Sequence, residues 1–196
     1  MKATFFERLG SYFIDTIIVS FIFSLICLGF GEYTSIAQKE MEKLDKQFLE
    51  EVITSEEYLE EYKGALYNYQ KETVLQSGIS VALTVAYYVV FQYMNKGQTI
   101  GKKLLNIRVV DKKTKEPISI LKGLLRSIIV FSILSGTLCI LFLYLLNKDS
   151  YFISYGGLLL LEGIFTLTTI MFMLYKKDGR GLHDMMANTI VVKESR

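Results

Sequence analysis

Hydrophobic residues along the chain are concentrated in four long runs that are separated by polar segments. The runs cover residues 9–30, 74–94, 127–146 and 151–175, and each contains at most one charged residue. An α-helix rises about 1.5 Å per residue, so about 20 apolar residues cross the roughly 30 Å of hydrocarbon in a bilayer. The pattern predicts an all-α integral membrane protein with four transmembrane helices.

The polar segments between the runs are too short to form a second globular domain. They are an insert at residues 32–73, a loop at residues 95–123 and the tail after residue 175. We therefore predict a single membrane domain over residues 1–196. The first run is too long for the apolar part of a cleavable signal peptide, so we expect it to remain as a transmembrane helix.

The charges of the polar segments predict which side of the membrane each one faces. Residues 31–73 hold five Lys and eleven acidic residues, whereas residues 95–123 hold eight Lys or Arg and two acidic residues. The tail holds five Lys or Arg and three acidic residues. Because Lys and Arg are retained on the cytoplasmic side, we predict a multi-pass protein of the plasma membrane with both termini and the 95–123 loop in the cytoplasm.

The outer insert has the composition of two helices. Residues 36–51 are rich in Glu, Lys, Gln and Leu, and Thr54 with Glu57 forms the capping-box pattern that begins a second helix through Tyr69. Apolar residues recur at helical spacing in the first helix, which predicts pairing of the two helices as a hairpin: Met41, Leu44, Phe48 and Val52. Such a hairpin either docks a protein partner or is a solvated spacer.

The segments on the predicted inner side contain short regular elements. Residues 100–105 combine apolar and basic side chains in the pattern of a short interfacial helix. Residues 107–110 and 189–192 are rich in β-branched side chains, which favour strands. We predict that these two strands pair as a small cytoplasmic β-element.

A basic cluster follows the second hydrophobic run. We expect its side chains to hold the loop on the inner side and to contact anionic lipid. Its members are Lys102, Lys103, Arg108, Lys112 and Lys113.

Asp15 is the charged residue inside the first run, and Arg8 lies just before that run. Arg8 and Asp15 are seven positions apart. This separation corresponds to about 700° of helical rotation, close to two full turns, so both side chains lie on one face of the helix. A lone carboxylate in hydrocarbon costs several kcal/mol, so Asp15 must face protein or water. Asp15 is therefore a candidate ion or proton site.

Glu162 lies near the middle of the fourth run, which places its carboxyl near the bilayer midplane. Desolvation favours the protonated form of an unpaired carboxyl, so Glu162 is a candidate proton acceptor. Alternatively, a protonated Glu162 hydrogen-bonds a neighbouring helix and only supports packing. The sequence leaves both interpretations open.

The scarce residue types narrow the chemistry further. Four membrane runs in a chain that is 51% hydrophobic exclude a soluble enzyme or nucleic-acid-binding domain. The one histidine, His183, makes a histidine metal site or a Ser-His-Asp triad implausible, and the glycines do not form a phosphate-binding loop. We therefore expect no metal, no cofactor, no nucleic-acid partner and no enzymatic activity.

Three segments of the chain resemble the RDD family of small bacterial membrane proteins, which is named for one arginine and two aspartates. They are RLGSYFID at 8–15, GQTIGKK at 97–103 and RGLHDMMANT at 180–189. The resemblance implies that Arg8, Asp15 and Asp184 are the name-giving residues. Because all three are expected on the inner half, we expect them to form a structural charge cluster there. It makes Asp184 a third candidate ion site.

The resemblance also implies transport, and we expect a transporter or cation/proton exchanger that uses Asp15. Four helices make a narrow bundle, so we expect a homo-oligomer in the bilayer. The long acidic insert departs from the short first connection usual in the family. It leaves open an alternative, in which a membrane adaptor, inhibitor or immunity-type protein meets a protein partner through the outer hairpin.

Overall fold

The computed structural model describes residues 1–29 and 35–194, and most of these residues are helical. The elements in chain order are α1 (Phe5–Leu28), α2 (Ile36–Leu49), α3 (Ser55–Glu72), α4 (Val74–Met94), α5 (Ile100–Leu104), β1 (Ile107–Asp111), α6 (Ile120–Ser127), α7 (Ile133–Leu145), α8 (Lys148–Tyr175), α9 (Leu182–Met186) and β2 (Thr189–Lys193).

Three helices are long and apolar enough to cross a membrane, namely α1, α4 and α8. They correspond to the first, second and fourth hydrophobic runs. Within α4, residues Ala86–Phe91 form a π-helical segment, which widens the turn and redirects the side chains of that part of the helix. The predicted boundaries at residues 30 and 32 lie outside the described residues.

The third hydrophobic run, residues 127–146, is not one continuous helix. Its apolar helix α7 has 13 residues, which corresponds to about 20 Å of rise. Ser132 adopts a left-handed conformation with φ of 55°, and the Leu134 amide donates to the Ile128 carbonyl at 2.9 Å instead of to the preceding turn of a regular helix. The chain therefore contains a short helix, α6, a break, and then α7.

The outer insert forms the predicted hairpin of α2 and α3. Thr54 and Glu57 make the predicted capping box at the beginning of α3. Leu44 is buried between the helices, whereas Val52 lies beyond the end of α2 and is exposed, so its predicted role in the pairing was wrong. Helix α2 ends at Leu49, because the chain turns after it through Glu51, which has a left-handed backbone conformation.

The two predicted strands are confirmed as an antiparallel pair, with Val109 opposite Val191. Both valines are buried, and Ile107 and Ile118 complete a small apolar core on the sheet. Residues 1–3 run beside β2, where the Ala3 amide donates to the Val191 carbonyl at 3.1 Å. The sheet thereby fixes the beginning of α1 next to the segment that follows α8.

Candidate functional site

Asp15 is fully buried in α1 and accepts hydrogen bonds from three groups. The Tyr87 hydroxyl of α4 donates at 2.7 Å, the Thr99 hydroxyl donates at 2.5 Å, and the Gly101 amide donates at 2.7 Å. The ammonium of Lys102 lies 3.7 Å from the same carboxylate. Both carboxylate oxygens therefore have partners, and most of these come from the segment that follows α4.

Two glycines allow that segment to approach α1 and the sheet so closely. A Cβ on Gly101 would lie 2.4 Å from the Ser11 carbonyl oxygen and 2.9 Å from the Asp15 carboxyl group. Gly97 has a φ of 92°, and a Cβ there would lie 2.0 Å from the Val109 carbonyl oxygen. The GQTIGKK segment is thus held between β1 and α1. Its Gly101 amide and its Thr99 hydroxyl both donate to Asp15.

Lys102 is buried beneath α1, so it does not share the lipid-facing surface that we predicted for the basic cluster. Burial lowers the pKa of Lys102 to about 8, although Asp15 beside it favours the charged ammonium. Of the other predicted members, Lys103, Lys112 and Lys113 are exposed, and Arg108 contacts Glu194. Lys102 therefore releases its proton more readily than an ordinary lysine does.

Asp184 forms a second charged centre and is also fully buried. Arg8 contacts its carboxylate directly, the Arg126 guanidinium lies 3.0 Å away, and His183 Nε2 lies 3.4 Å away. Burial raises the pKa of the Asp184 carboxyl, but His183, Arg126 and Arg8 outweigh that effect and lower it below its usual range. Asp184 is therefore an anion that holds α1, α6 and the tail together.

The resemblance implied one cluster of Arg8, Asp15 and Asp184, whereas the structure divides these residues between two centres. Arg8 pairs with Asp184, and Asp15 pairs with Lys102. Arg8 and Asp15 nevertheless share the predicted helix face, because both line one cavity of about 210 Å³ near the sheet, which we call the inner cavity. Lys102, Arg126 and His183 also line this cavity, so basic groups of both centres face one space.

A larger cavity of about 760 Å³, which we call the outer cavity, lies between the helices next to the hairpin and is lined by Glu162. Ser132, at the break before α7, donates to the Glu162 carboxylate, and the Ser135 hydroxyl donates to it at 2.6 Å. Gln76 also lines the cavity, and its Oε1 is buried without a hydrogen-bond partner among the described residues. Glu162 thus faces this cavity and accepts hydrogen bonds from two hydroxyl groups at the beginning of α7.

One aromatic residue, Phe131, lines both cavities. Its ring stacks on Tyr88 with centroids 3.6 Å apart and on Tyr12 with centroids 5.9 Å apart. Tyr88 belongs to the π-helical segment of α4, and Phe131 belongs to the break before α7. The irregular parts of two helices thus meet α1 in an aromatic layer between the inner and the outer cavity.

Sequence reasoning missed three residues of this site: Tyr87, Thr99 and Arg126. Arg126 lies one residue before the third run, as Arg8 lies one residue before the first, and that shared position was a usable signal. Nothing in the local sequence marks Tyr87, because its orientation depends on the π-helical segment. Within residues 1–29 and 35–194, no group of three His, Cys, Asp or Glu side chains has the arrangement of a metal site.

Comparison with protein-family models matches residues 2–188 of the chain to the RDD family. The matched region includes Arg8, Asp15, Lys102 and Asp184 and the whole lining of both cavities except Val191. Comparison with curated proteins and with solved structures gave no match.

Proposed function

Because the chain belongs to the RDD family, with residues 2–188 matched, we propose that it is a membrane transporter or ion-coupled exchanger of the cation/proton type. The observation that carries the proposal is the buried pair of Asp15 and Lys102, 3.7 Å apart on the wall of the inner cavity. A cation that binds Asp15 competes with the Lys102 ammonium. Loss of the Lys102 proton then leaves Asp15 available, which couples cation binding to proton release.

The two cavities supply a path for this exchange. The inner cavity holds Asp15, the outer cavity holds Glu162, and the aromatic layer of Tyr12, Tyr88 and Phe131 lies between them. In the proposal Glu162 binds the cation or proton on the outer side, and Asp15 binds it on the inner side. Asp184 stays paired with the guanidinium groups of Arg8 and Arg126 and thereby holds α1 in place beside the Asp15 centre.

The proposed orientation has four membrane segments, with both termini in the cytoplasm of a bacterial cell. The helices α1, α4 and α8 cross the bilayer, and α7 crosses it together with the break that precedes it. Irregular backbone is tolerated at membrane depth where it lines a cavity, as Ser132 does here. The basic 95–123 loop supports placing that side in the cytoplasm.

Flux of Na⁺ or K⁺ against protons in liposomes that contain the purified protein tests the proposal. Because deprotonation of Lys102 releases Asp15, the apparent affinity for the cation should rise as the pH increases through about 8. Asp15→Asn should abolish flux, since the amide keeps the volume but not the charge. The matched control is Glu116→Gln, which removes an exposed carboxylate and should leave flux intact.

Two results would refute the exchanger. The first is an absence of cation-dependent proton flux in the folded wild-type protein. The second is flux that survives Asp15→Asn and Glu162→Gln unchanged.

One observation favours the alternative function, in which the outer hairpin docks a protein partner. Leu49, Val52 and Leu59 are all exposed around the connection between α2 and α3, where a partner could cover their apolar side chains. Substituting these three residues by Ser changes the hairpin tip without removing Gln38 or Gln70, which line the outer cavity. If cells that carry the triple Ser variant behave like cells that lack the protein, while flux in liposomes is unchanged, the adaptor function is supported.

A further inference from the structure

We propose that the inner cavity binds a small monovalent anion with a hydrocarbon body, such as a short-chain carboxylate. This inference goes beyond cation/proton exchange and concerns the same cavity. Arg8, Lys102 and Arg126 line it with three positive charges. The carboxylates that they contact carry two negative charges, Asp15 in the cavity wall and Asp184 behind the lining. The five side chains are all at least nine-tenths buried, so one positive charge lies away from water without a counterion.

The excess charge does not depend on the exchange step. A monovalent cation that replaces the Lys102 proton at Asp15 leaves the total charge of the cluster unchanged. His183 contributes no charge at neutral pH, because burial lowers its pKa to about 4. An uncompensated buried charge is costly in any environment of low polarity, and a bound anion removes that cost.

Two polar groups at the cavity have hydrogen-bonding capacity that the described residues do not use. The Thr169 hydroxyl is buried and lacks a hydrogen-bond partner there. Arg126 uses Nη1 for Thr189 and Asp184, and its Nε and Nη2 have no acceptor within the described part of the chain. Because Thr169 and Arg126 both line the cavity, together they supply donors for an anionic oxygen.

The remaining walls decide what kind of anion fits. They are largely apolar, with Leu9 from α1, Val130 from the break before α7, and Ile170 and Met173 from α8. A volume of about 210 Å³ is smaller than the roughly 300–1,000 Å³ typical of sites for drug-sized ligands. An inorganic anion would leave the apolar walls without contacts, so the structure favours a compact organic anion.

Calorimetric titration of butyrate into the purified protein in nanodiscs of zwitterionic lipid tests the proposal. We expect saturable binding to the wild type and about tenfold weaker binding to Thr169→Val, which loses one hydrogen bond to a charged acceptor. The matched control is Thr168→Val, because the neighbouring Thr168 hydroxyl already donates to the Ile164 carbonyl at 2.7 Å. Thr168→Val should bind butyrate like the wild type.

Four further results decide the proposal. Absence of saturable butyrate binding, or equal binding by wild type and Thr169→Val, would overturn it. Binding of chloride as tightly as butyrate would overturn the organic class. Competition by anionic lipid added to the nanodiscs would support the site and identify a lipid headgroup as one source of the anion. Since the titration involves no flux, anion binding without transport would refute the exchanger and leave this site standing.

Discussion

At the scale of single residues, Gly101 determines how closely the GQTIGKK segment approaches α1. Its amide donates to Asp15, and a Cβ would collide with the Ser11 carbonyl and with the Asp15 carboxyl. We expect Gly101→Ala to destabilise the protein by about 2 kcal/mol or more, because backbone atoms cannot give way as a flexible side chain does. Thermal melting in detergent measures the loss.

A second glycine provides the control for this substitution. Gly64 lies in α3, and a Cβ there meets nothing within 4 Å of the described structure. Gly64→Ala should therefore stabilise the protein by about 0.5–1 kcal/mol through helix propensity. A Gly101→Ala variant that melts with the wild type would show that α5 does not press against α1.

His183 gives the stability a specific pH dependence. Burial lowers its pKa to about 4 in the folded protein, where it faces Asp184, Arg126, Arg8 and Lys102. Between about pH 6.5 and 4 the unfolded chain binds this proton and the folded protein does not, so stability should fall by about 3 kcal/mol as the pH decreases across this range. Melting temperatures from pH 7 to 4 follow the loss.

The variant His183→Gln should remove most of that slope, because His183 is the one histidine in the chain. Asp184 titrates below its ordinary range and Lys102 near 8, so neither obscures the interval. A slope that is identical in both proteins would mean that His183 is accessible to water and titrates normally.

At the scale of secondary-structure elements, the pairing of β1 with β2 fixes the tail under the membrane helices. Arg108 lies opposite Val192 in the antiparallel register. In a protein whose Cys27 and Cys139 are replaced by Ser, the pair Arg108→Cys and Val192→Cys should form a disulfide under mild oxidation, since Cα atoms of opposed residues lie about 4.5–5.5 Å apart. Gel mobility of a protein cleaved between the strands reports the bond.

The register control moves one cysteine by two residues. The pair Arg108→Cys and Ile190→Cys lies on the same face of the sheet but on a diagonal of about 7–8 Å. Equal cross-linking of both pairs would contradict a fixed register.

The same scale shows what the sequence could predict. Local composition was sufficient for the hairpin, the capping box at Thr54 and both strands, because each depends on neighbouring residues. The break before α7 depends instead on Ser132, whose hydroxyl binds Glu162 from α8. Likewise, helical spacing placed Asp15 and Arg8 on one face of α1. It could not predict their partners, Lys102 for Asp15 and Asp184 for Arg8, because these lie in distant segments of the chain.

At the scale of the whole molecule, the proposed orientation places the acidic hairpin and the basic loop on opposite sides of the membrane. Lys46 in α2 and Lys113 after β1 are both exposed, so either position can be labelled. We expect Lys46→Cys to react with an impermeant thiol reagent in intact cells and Lys113→Cys to react only after permeabilisation. Labelling of both cysteines in intact cells would contradict the orientation.

The contact between Arg8 and Asp184 has a consequence for the order in which parts of the protein assemble during synthesis. Arg8 and Asp184 are 176 positions apart in the chain. At about 5–20 residues per second, the ribosome needs roughly 10–35 s to add the intervening segment. During that interval Arg8 lacks the Asp184 carboxylate that it contacts in the folded protein. The Asp184 centre therefore assembles last, and a chain whose synthesis stops before Asp184 leaves Arg8 and Arg126 without this carboxylate.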